Sequence, residues 1–174
     1  GKKDGKGTYR ALLIGEEAFN PICTRNRGDV TLMNKMLKSV KGPKDGKWTI
    51  TQKFDINNAG VKSAIKSAFN KADEDDVSLF FIATHGDADS YGEYAGALAM
   101  IPEGGFLLMS ELAAALKEVP GKVIVVIESC GSGAAVFSTY GEQNAANAAL
   151  RNAAKAFDQS VIDAFAAVDD GIVE

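Results

Sequence analysis

Two apolar stretches of the chain each end at a residue with reactive chemistry. Residues 77–87 read VSLFFIATHGD, and residues 123–133 read VIVVIESCGSG. The beginning of each stretch is apolar at nearly every position, which is typical of a strand buried on both faces in the middle of a parallel sheet. The first stretch leads to His85, the only histidine of the chain, and the second leads to Cys130. The sequence therefore predicts two central strands whose carboxyl ends carry an imidazole and a thiol.

Elsewhere the chain alternates short apolar runs with amphipathic stretches, which is typical of β-α-β units and predicts an α/β fold with a mainly parallel sheet. Residues 11–14 predict a first strand, and residues 48–54 predict a second strand near the sheet edge, because they alternate apolar and polar side chains. This gives four strands, with a small hairpin between Ala95 and Phe106, and no further strand is predicted toward the C-terminus.

Helices are expected between these strands. Their predicted starting points are Gly28, an Asn57-Asn58 cap and Ser110, and residues 143–168 predict one or two more helices. In the first helix, the apolar side chains expected at helical spacing on the buried face are Leu32, Met33, Met36, Leu37 and Val40.

The composition is that of a folded globular protein and excludes several classes. The chain has 174 residues, of which 46% are hydrophobic and 24% are charged, so disordered and collagen-like proteins are excluded. Its 19 basic and 23 acidic residues are scattered and give a net charge of −4, so nucleic acid is not an expected partner. No apolar run approaches the roughly 20 residues that span a bilayer. We expect a flexible lead-in at residues 1–8 and a single domain at residues 9–174.

The positions of His85 and Cys130 suggest nucleophilic catalysis. If their strands are neighbours, the two residues emerge about 5 Å apart at one edge of the sheet, where ligands of open parallel sheets bind. The glycines in residues 131–133 would let a substrate backbone approach the sulfur, and a helix from Ala134 would lower the thiol pKa. Backbone N–H groups of Gly86 and Cys130 would stabilise an oxyanion, so acyl transfer is the predicted reaction.

Other interpretations of the same residues stay open. A buried cysteine at a strand end is usually a small hydrophobic residue, and a lone histidine there is equally ambiguous. The GSG turn at residues 131–133 could instead cradle a phosphate, although it lacks the lysine of a P-loop. The acidic residues 73–76 are best interpreted as a solvated loop, and a calcium site is the alternative.

The residues around His85 and Cys130 resemble the caspase-like cysteine peptidases, which include caspases, gingipains, legumain and clostripain. The segments that carry the resemblance are FFIATHGD at residues 80–87 and ESCGSG at residues 128–133. Within this group the bacterial clostripain family is most similar, because GE at residues 15–16 and NRGD at residues 26–29 follow the first strand in the same way.

This resemblance implies a three-layer α/β/α sandwich and a cysteine endopeptidase with a Cys130–His85 dyad that cleaves after Arg or Lys. Glu128 and Ser129 are the implied substrate-binding residues, with the Glu128 carboxylate pairing with the basic side chain of the substrate. The family usually carries Asp at the position of Glu128, which leaves the choice between Arg and Lys open.

The resemblance also implies that the sheet is incomplete. A caspase-like sheet has six strands, and only four are predicted in this chain. We expect a second chain, cut from the same precursor, to provide the remaining strands, so that activation is proteolytic. The resemblance also suggests a bacterial protein that is secreted or lies in the cell envelope. Calcium is the one cofactor suggested. The alternative function is a non-catalytic binding module of caspase-like or flavodoxin-like fold.

Overall fold

A computed structural model of the chain describes residues 3–18, 25–40, 46–86, 97–100, 105–130 and 171–173. The strands in these ranges are β1 (Tyr9–Gly15), β2 (Thr49–Phe54), β3 (Val77–His85), β4 (Leu98–Ala99), β5 (Phe106–Leu107), β6 (Lys122–Cys130) and β7 (Gly171–Val173). The helices are α1 (Asn26–Ser39), α2 (Asn58–Ala68) and α3 (Met109–Lys117). None of these helices has the length and apolar composition needed to cross a membrane.

Five strands form one parallel sheet in the order β2-β1-β3-β6-β7. The four predicted strands are the first four of this order, with β2 at the edge and β3 beside β6. The expectation of no further strand toward the C-terminus is wrong, because β7, a strand of three residues, pairs with residues 123–125 of β6. The predicted small hairpin is present as the antiparallel pair β4 and β5.

Helices cover both faces of the sheet, which confirms the expected three-layer α/β/α arrangement. Alternate side chains of a strand point to opposite faces, so each strand contributes to two apolar clusters. Leu12, Phe80 and Val125 pack with α2 and α3 on one face. Leu13 and Phe81 pack with α1 on the other. A side chain at the carboxyl end of the sheet therefore faces either α1 or the pair α2 and α3, according to its place in this alternation.

The buried face of α1 is narrower than the sequence predicts. Val30 and Leu37 are buried and Met33 packs partly against the same cluster, whereas Leu32, Met36 and Val40 are exposed. The prediction that these three face inward is wrong. Leu32 lies two residues after Val30, which is a rotation of about 200° around the helix axis, and Met36 and Val40 continue the same outer stripe at intervals of four.

The acidic residues 73–76 form a turn that is less solvated than predicted. Asp76 is buried and its carboxylate pairs with Arg10 and accepts a hydrogen bond from the N–H of Thr8 at 2.5 Å. The N–H of Asp4 donates to the Asp73 carboxylate at 3.0 Å. Part of the expected flexible lead-in is therefore hydrogen-bonded to this turn.

Candidate active site

Residues at the carboxyl ends of β3 and β6 lie directly opposite one another. Neighbouring strands are about 4.8 Å apart, so the paired backbones are close enough to hold two side chains around one substrate bond. The pairs at this edge, given as β3 residue and β6 residue, are Ala83 and Glu128, Thr84 and Ser129, and His85 and Cys130.

The hairpin formed by β4 and β5 anchors the backbone on both sides of His85. The preceding residue, Thr84, is buried and donates a hydrogen bond from its hydroxyl to the carbonyl oxygen of Ala99 at 2.6 Å. The following residue, Gly86, forms an antiparallel bridge with Leu98. His85 itself is half-buried, with its Nε2 atom inaccessible to solvent. The hairpin therefore determines where the imidazole lies at the sheet edge.

Glu111 links this hairpin to the helices beneath it. Its carboxylate accepts hydrogen bonds from Lys62 at 2.7 Å, from the Asn58 side chain at 3.0 Å and from the Leu108 N–H at 3.1 Å. Asn58 also donates to the carbonyl oxygen of Phe106 in β5 at 2.9 Å. The hydrogen bond from Lys62 is the main reason why the pKa of Glu111 is lowered.

On the other side of the site, Glu16 fixes the loop that follows β1. This residue is fully buried, its N–H donates to the carbonyl oxygen of Ala83 at 2.9 Å, and its carboxylate accepts from the Ile56 N–H at 3.0 Å. The Asn26 side chain donates to the Glu16 carbonyl oxygen. These bonds join the carboxyl ends of β1, β2 and β3 to the first residue of α1.

Arg27 is already paired within the fold. Its guanidinium hydrogen-bonds to Asp55 and lies 4.7 Å from the centre of the Phe54 ring. Asp55 also accepts from the backbone N–H groups of Glu17 at 2.8 Å and Ala18 at 3.1 Å. Burial alone would raise the pKa of Asp55, but these hydrogen bonds and the Arg27 charge outweigh it and lower the pKa.

Glu128 and Asp29 are two carboxylates with no counter-ion among the described residues. Glu128 is exposed and Asp29 is half-buried. Partial burial is the main cause that raises the pKa of Glu128, and the negative charge of Asp29 raises it further. Among the residues that the structure describes, no cation or hydrogen-bond donor pairs with either carboxylate.

The structure brings some of the predicted site residues together and separates others. Ala83 packs on the α1 face, and His85 and Glu128 follow on that face in the alternation of β3 and β6. Ser129 lies on the opposite face with Val125, so it does not adjoin the Glu128 side chain, and its Oγ atom is buried. The predicted turn at residues 131–133 and the helix from Ala134 lie outside the described residues.

Sequence reasoning missed two contributors to the site. From the sequence, Thr84 is one more residue of a buried strand, and Asp29 indicates only the start of a helix and the NRGD resemblance. Thr84 could have been identified because it is a polar residue directly before His85. No local sequence signal connects Asp29 with Glu128, because the charge of Asp29 acts on Glu128 only through the packing of α1 on the sheet.

A possible cation site lies at the opposite edge of the sheet, before β3. Carboxylate oxygens of Asp4, Asp73 and Asp75 lie within 4.8 Å of one another. A hydrogen bond between the side chains of Asp73 and Asp75 lowers the pKa of Asp73 and raises that of Asp75. Calcium could be bound by such oxygens, but this group is remote from His85 and takes no part in the chemistry proposed below.

The site therefore belongs to an α/β domain in which a parallel sheet has helices on both faces and carries His85 and Cys130 at paired strand ends. The family model of the caspase domain matches residues 8–171. The chain belongs to the caspase-domain family, and this membership supports a cysteine-type peptidase. The caspase-like resemblance is thereby confirmed at the level of the family, and the closer likeness to clostripain stays a prediction.

A solved structure is similar over most of the chain. The crystal structure of protein GSU0716 from Geobacter sulfurreducens has a TM-score of 0.53 and 19% sequence identity. The similarity covers 92% of this chain and 65% of that one, so the chain spans less than two thirds of its length. At this identity the likeness concerns the fold alone. A search of curated proteins gives no match.

Proposed function

We propose that this domain is a cysteine endopeptidase of clostripain type that cleaves after basic residues, with Cys130 as nucleophile and His85 as general acid. The observation that carries the proposal is the pairing of His85 with Cys130 in the register of two adjacent parallel strands. Membership of the caspase-domain family supports the same reaction class. Together, these two observations favour acyl transfer over phosphate binding at the GSG turn.

In the proposed reaction the Cys130 thiolate attacks the carbonyl carbon of the scissile amide, and the electrons of the C=O double bond move onto its oxygen. Backbone N–H groups of Gly86 and Cys130 stabilise this oxyanion. Collapse of the intermediate breaks the C–N bond, and the leaving amine takes a proton from His85. A water molecule, deprotonated by His85, then attacks the thioester carbonyl carbon. Breaking of the C–S bond releases the acyl group as a carboxylic acid and restores the Cys130 thiolate beside protonated His85.

Glu128 supports the preference for a basic residue. It follows Ile124 and Val126 on the α1 face of β6, and it is aligned with Ala83, two residues before His85. An exposed carboxylate with no cation partner in the described part of the chain is suited to pair with the ammonium or guanidinium of a substrate. The basic side chain would then lie on the same face of the sheet as the imidazole.

We also propose that a second chain from the same precursor completes the sheet. Among the described residues, β7 pairs with only residues 123–125 of β6, so residues 126–130 have no strand on that side. Backbone groups along such an edge are normally covered in folded proteins. Mass spectrometry of the purified, denatured protein tests this point: a second species from the precursor supports it, and a single uncleaved species in active protein overturns it.

The test of the reaction uses Cys130→Ala and His85→Ala with short Arg and Lys peptide amides and esters. Both variants should lose hydrolysis while retaining the far-UV circular dichroism and melting temperature of the wild type. Iodoacetamide should alkylate the wild type rapidly at mildly acidic pH, and the alkylated residue should be Cys130. A folded protein that neither hydrolyses these substrates nor alkylates in this way would instead be a non-catalytic binding module.

A further inference from the structure

The hairpin formed by β4 and β5 is too small to hold its own position. Each of its strands has two residues, and an isolated two-stranded hairpin is marginally stable at best. Leu98 and Leu107, which are paired across the hairpin, are fully buried in the apolar cluster that includes α2 and α3. These apolar contacts hold the hairpin in the core but are not directional. Its position relative to β3 therefore depends on hydrogen bonds, which are directional.

Asn58, the first residue of α2, makes the hydrogen bonds that hold β5. Its amide nitrogen donates to the carbonyl oxygen of Phe106 at 2.9 Å and to the Glu111 carboxylate at 3.0 Å. Glu111 also accepts from the N–H of Leu108, the residue that follows β5, at 3.1 Å. Asn58 is therefore joined to β5 directly, and to the end of β5 through Glu111.

A short series of contacts leads from Asn58 to His85. Phe106 lies directly opposite Ala99 in the hairpin, and the Ala99 carbonyl oxygen accepts the hydrogen bond from the Thr84 hydroxyl at 2.6 Å. Thr84 directly precedes His85 in β3. A displacement of β5 relative to α2 would therefore move β4, and with it the backbone that carries the imidazole.

One atom of the Asn58 side chain is left unpaired. Its Oδ1 atom is buried and has no hydrogen-bond partner among the described residues. An unpaired buried acceptor destabilises a fold, so stability alone does not explain an asparagine at this position. The neighbouring Asn57 differs, because its side chain accepts a hydrogen bond from the Gly60 N–H at 2.8 Å and caps α2. The contact of Asn57 is local to the helix, whereas that of Asn58 reaches the hairpin.

We infer that Asn58 is a positioning residue that holds His85 in place for proton transfer, through the hairpin formed by β4 and β5. The inference rests on the proposed function, in which His85 protonates the leaving amine. A general acid must lie within hydrogen-bond reach of the atom that takes its proton. A small displacement of the imidazole therefore lowers the rate of turnover more than it weakens substrate binding.

The test compares Asn58→Ala with Asn57→Ala, two substitutions of the same residue type at adjacent positions. With Arg or Lys peptide substrates, Asn58→Ala should lower kcat by about tenfold or more and leave KM within about twofold of the wild-type value. Asn57→Ala removes the cap of α2 and should lower the melting temperature, but it should leave both kinetic constants within about twofold of the wild type. Melting curves show whether each variant is folded.

A second measurement reports on the imidazole without catalysis. His85 is the only histidine of the chain, so its ring C–H signals in an NMR spectrum of protein without a histidine tag are assigned without ambiguity. These signals should shift in Asn58→Ala and keep their wild-type positions in Asn57→Ala. If Asn58→Ala does not fold, Glu111→Gln provides the test. It removes the charge that Asn58 and Lys62 approach, and it should shift the same signals and lower kcat to a smaller degree.

The possible outcomes distinguish this inference from the proposed function. A folded Asn58→Ala with wild-type kcat overturns the inference and leaves the peptidase intact. An equal loss of kcat in Asn57→Ala also overturns it, because the effect then comes from the stability of α2. A wild-type protein without hydrolytic activity overturns the proposed function, whereas His85 signals that shift in Asn58→Ala but not in Asn57→Ala still support the control of the imidazole by Asn58.

Discussion

The hydroxyl of Thr84 donates a hydrogen bond to the carbonyl oxygen of Ala99 at 2.6 Å, and this bond joins the residue before His85 to the β4–β5 hairpin. The bridge between Gly86 and Leu98 holds the residue after His85 in the same way. Pairing between parallel strands fixes the backbone only up to the last pair of residues, here His85 and Cys130. The hairpin extends that control to the residues on which the proposed general acid depends.

Replacing Thr84 by Val should destabilise the fold by about 1 to 3 kcal/mol, because the Ala99 carbonyl loses its donor in a buried setting. It should also lower kcat more than it raises KM, since the looser hairpin displaces His85 and leaves Glu128 in place. Urea unfolding and steady-state kinetics measure the two effects. Thr84→Ser retains the hydroxyl and should recover most of both. A Val variant with wild-type stability and kcat, beside a Ser variant that loses both, would show that the methyl group and not the hydrogen bond is important.

Gly15→Ala should be the more damaging of two matched glycine substitutions. Its new methyl group would meet the Asn26 carbonyl oxygen at 2.9 Å, and forcing α1 away should cost about 1 to 3 kcal/mol. Gly28 lies in the same helix with nothing within 4 Å of a Cβ, so Gly28→Ala should be neutral or stabilising by up to about 1 kcal/mol. Thermal unfolding compares them. Similar melting temperatures for the two variants would contradict the close packing of α1 on β1.

Acidification should weaken the fold in part through Glu111. Its pKa is lowered from 4.5, mainly by the hydrogen bond from Lys62. This carboxylate therefore stabilises the fold at a pH above the pKa of the unfolded state. The contribution is lost as the pH falls through the lower folded value. Lys62→Met should therefore reduce stability at pH 7 by about 1 kcal/mol or less, and should make the decline in stability below pH 4.5 shallower.

The control for this pH dependence is Lys66→Met, one turn further along α2. Lys66 is also exposed but has no ion pair with any described residue. Urea unfolding at several pH values between 3 and 7 compares the variants. If Lys66→Met changes the pH dependence as much as Lys62→Met does, the effect comes from the overall charge of the helix and not from Glu111.

The parts of the fold that could be predicted from the sequence are the strands long enough to show an apolar run of their own. The apolar runs before His85 and Cys130 identify β3 and β6 as central strands, and parallel pairing then brings both residues to one edge. The strand β7 has only three residues, Gly171–Val173, which is too short for a periodic pattern. The effect of the Asp29 charge on Glu128 could not be predicted, because it depends on how closely α1 approaches Gly15.

Glu128→Gln should stabilise the folded protein at pH 7 while raising KM for Arg and Lys peptide substrates. Partial burial and the nearby charge of Asp29 raise the pKa of Glu128, so the ionised form is disfavoured in the fold. For a carboxyl group whose pKa is raised by folding, this penalty is present at a pH above the pKa of the folded state. It disappears at a pH below the pKa of the unfolded state. The gain at pH 7 should be below about 1 kcal/mol because the group is exposed, and it should vanish in acid.

A double-mutant cycle with Asp29→Asn separates this repulsion from other effects of each change. Asp29→Asn alone also loses a favourable interaction with the α1 dipole, so its net effect on stability is small. The stability gained by Glu128→Gln should be smaller in the Asp29→Asn background, because the repulsion is then already partly removed. A Glu128→Gln variant that is less stable than the wild type at pH 7 would mean that this carboxylate makes a stabilising contact within the fold. It would then not be available to bind the cation of a substrate.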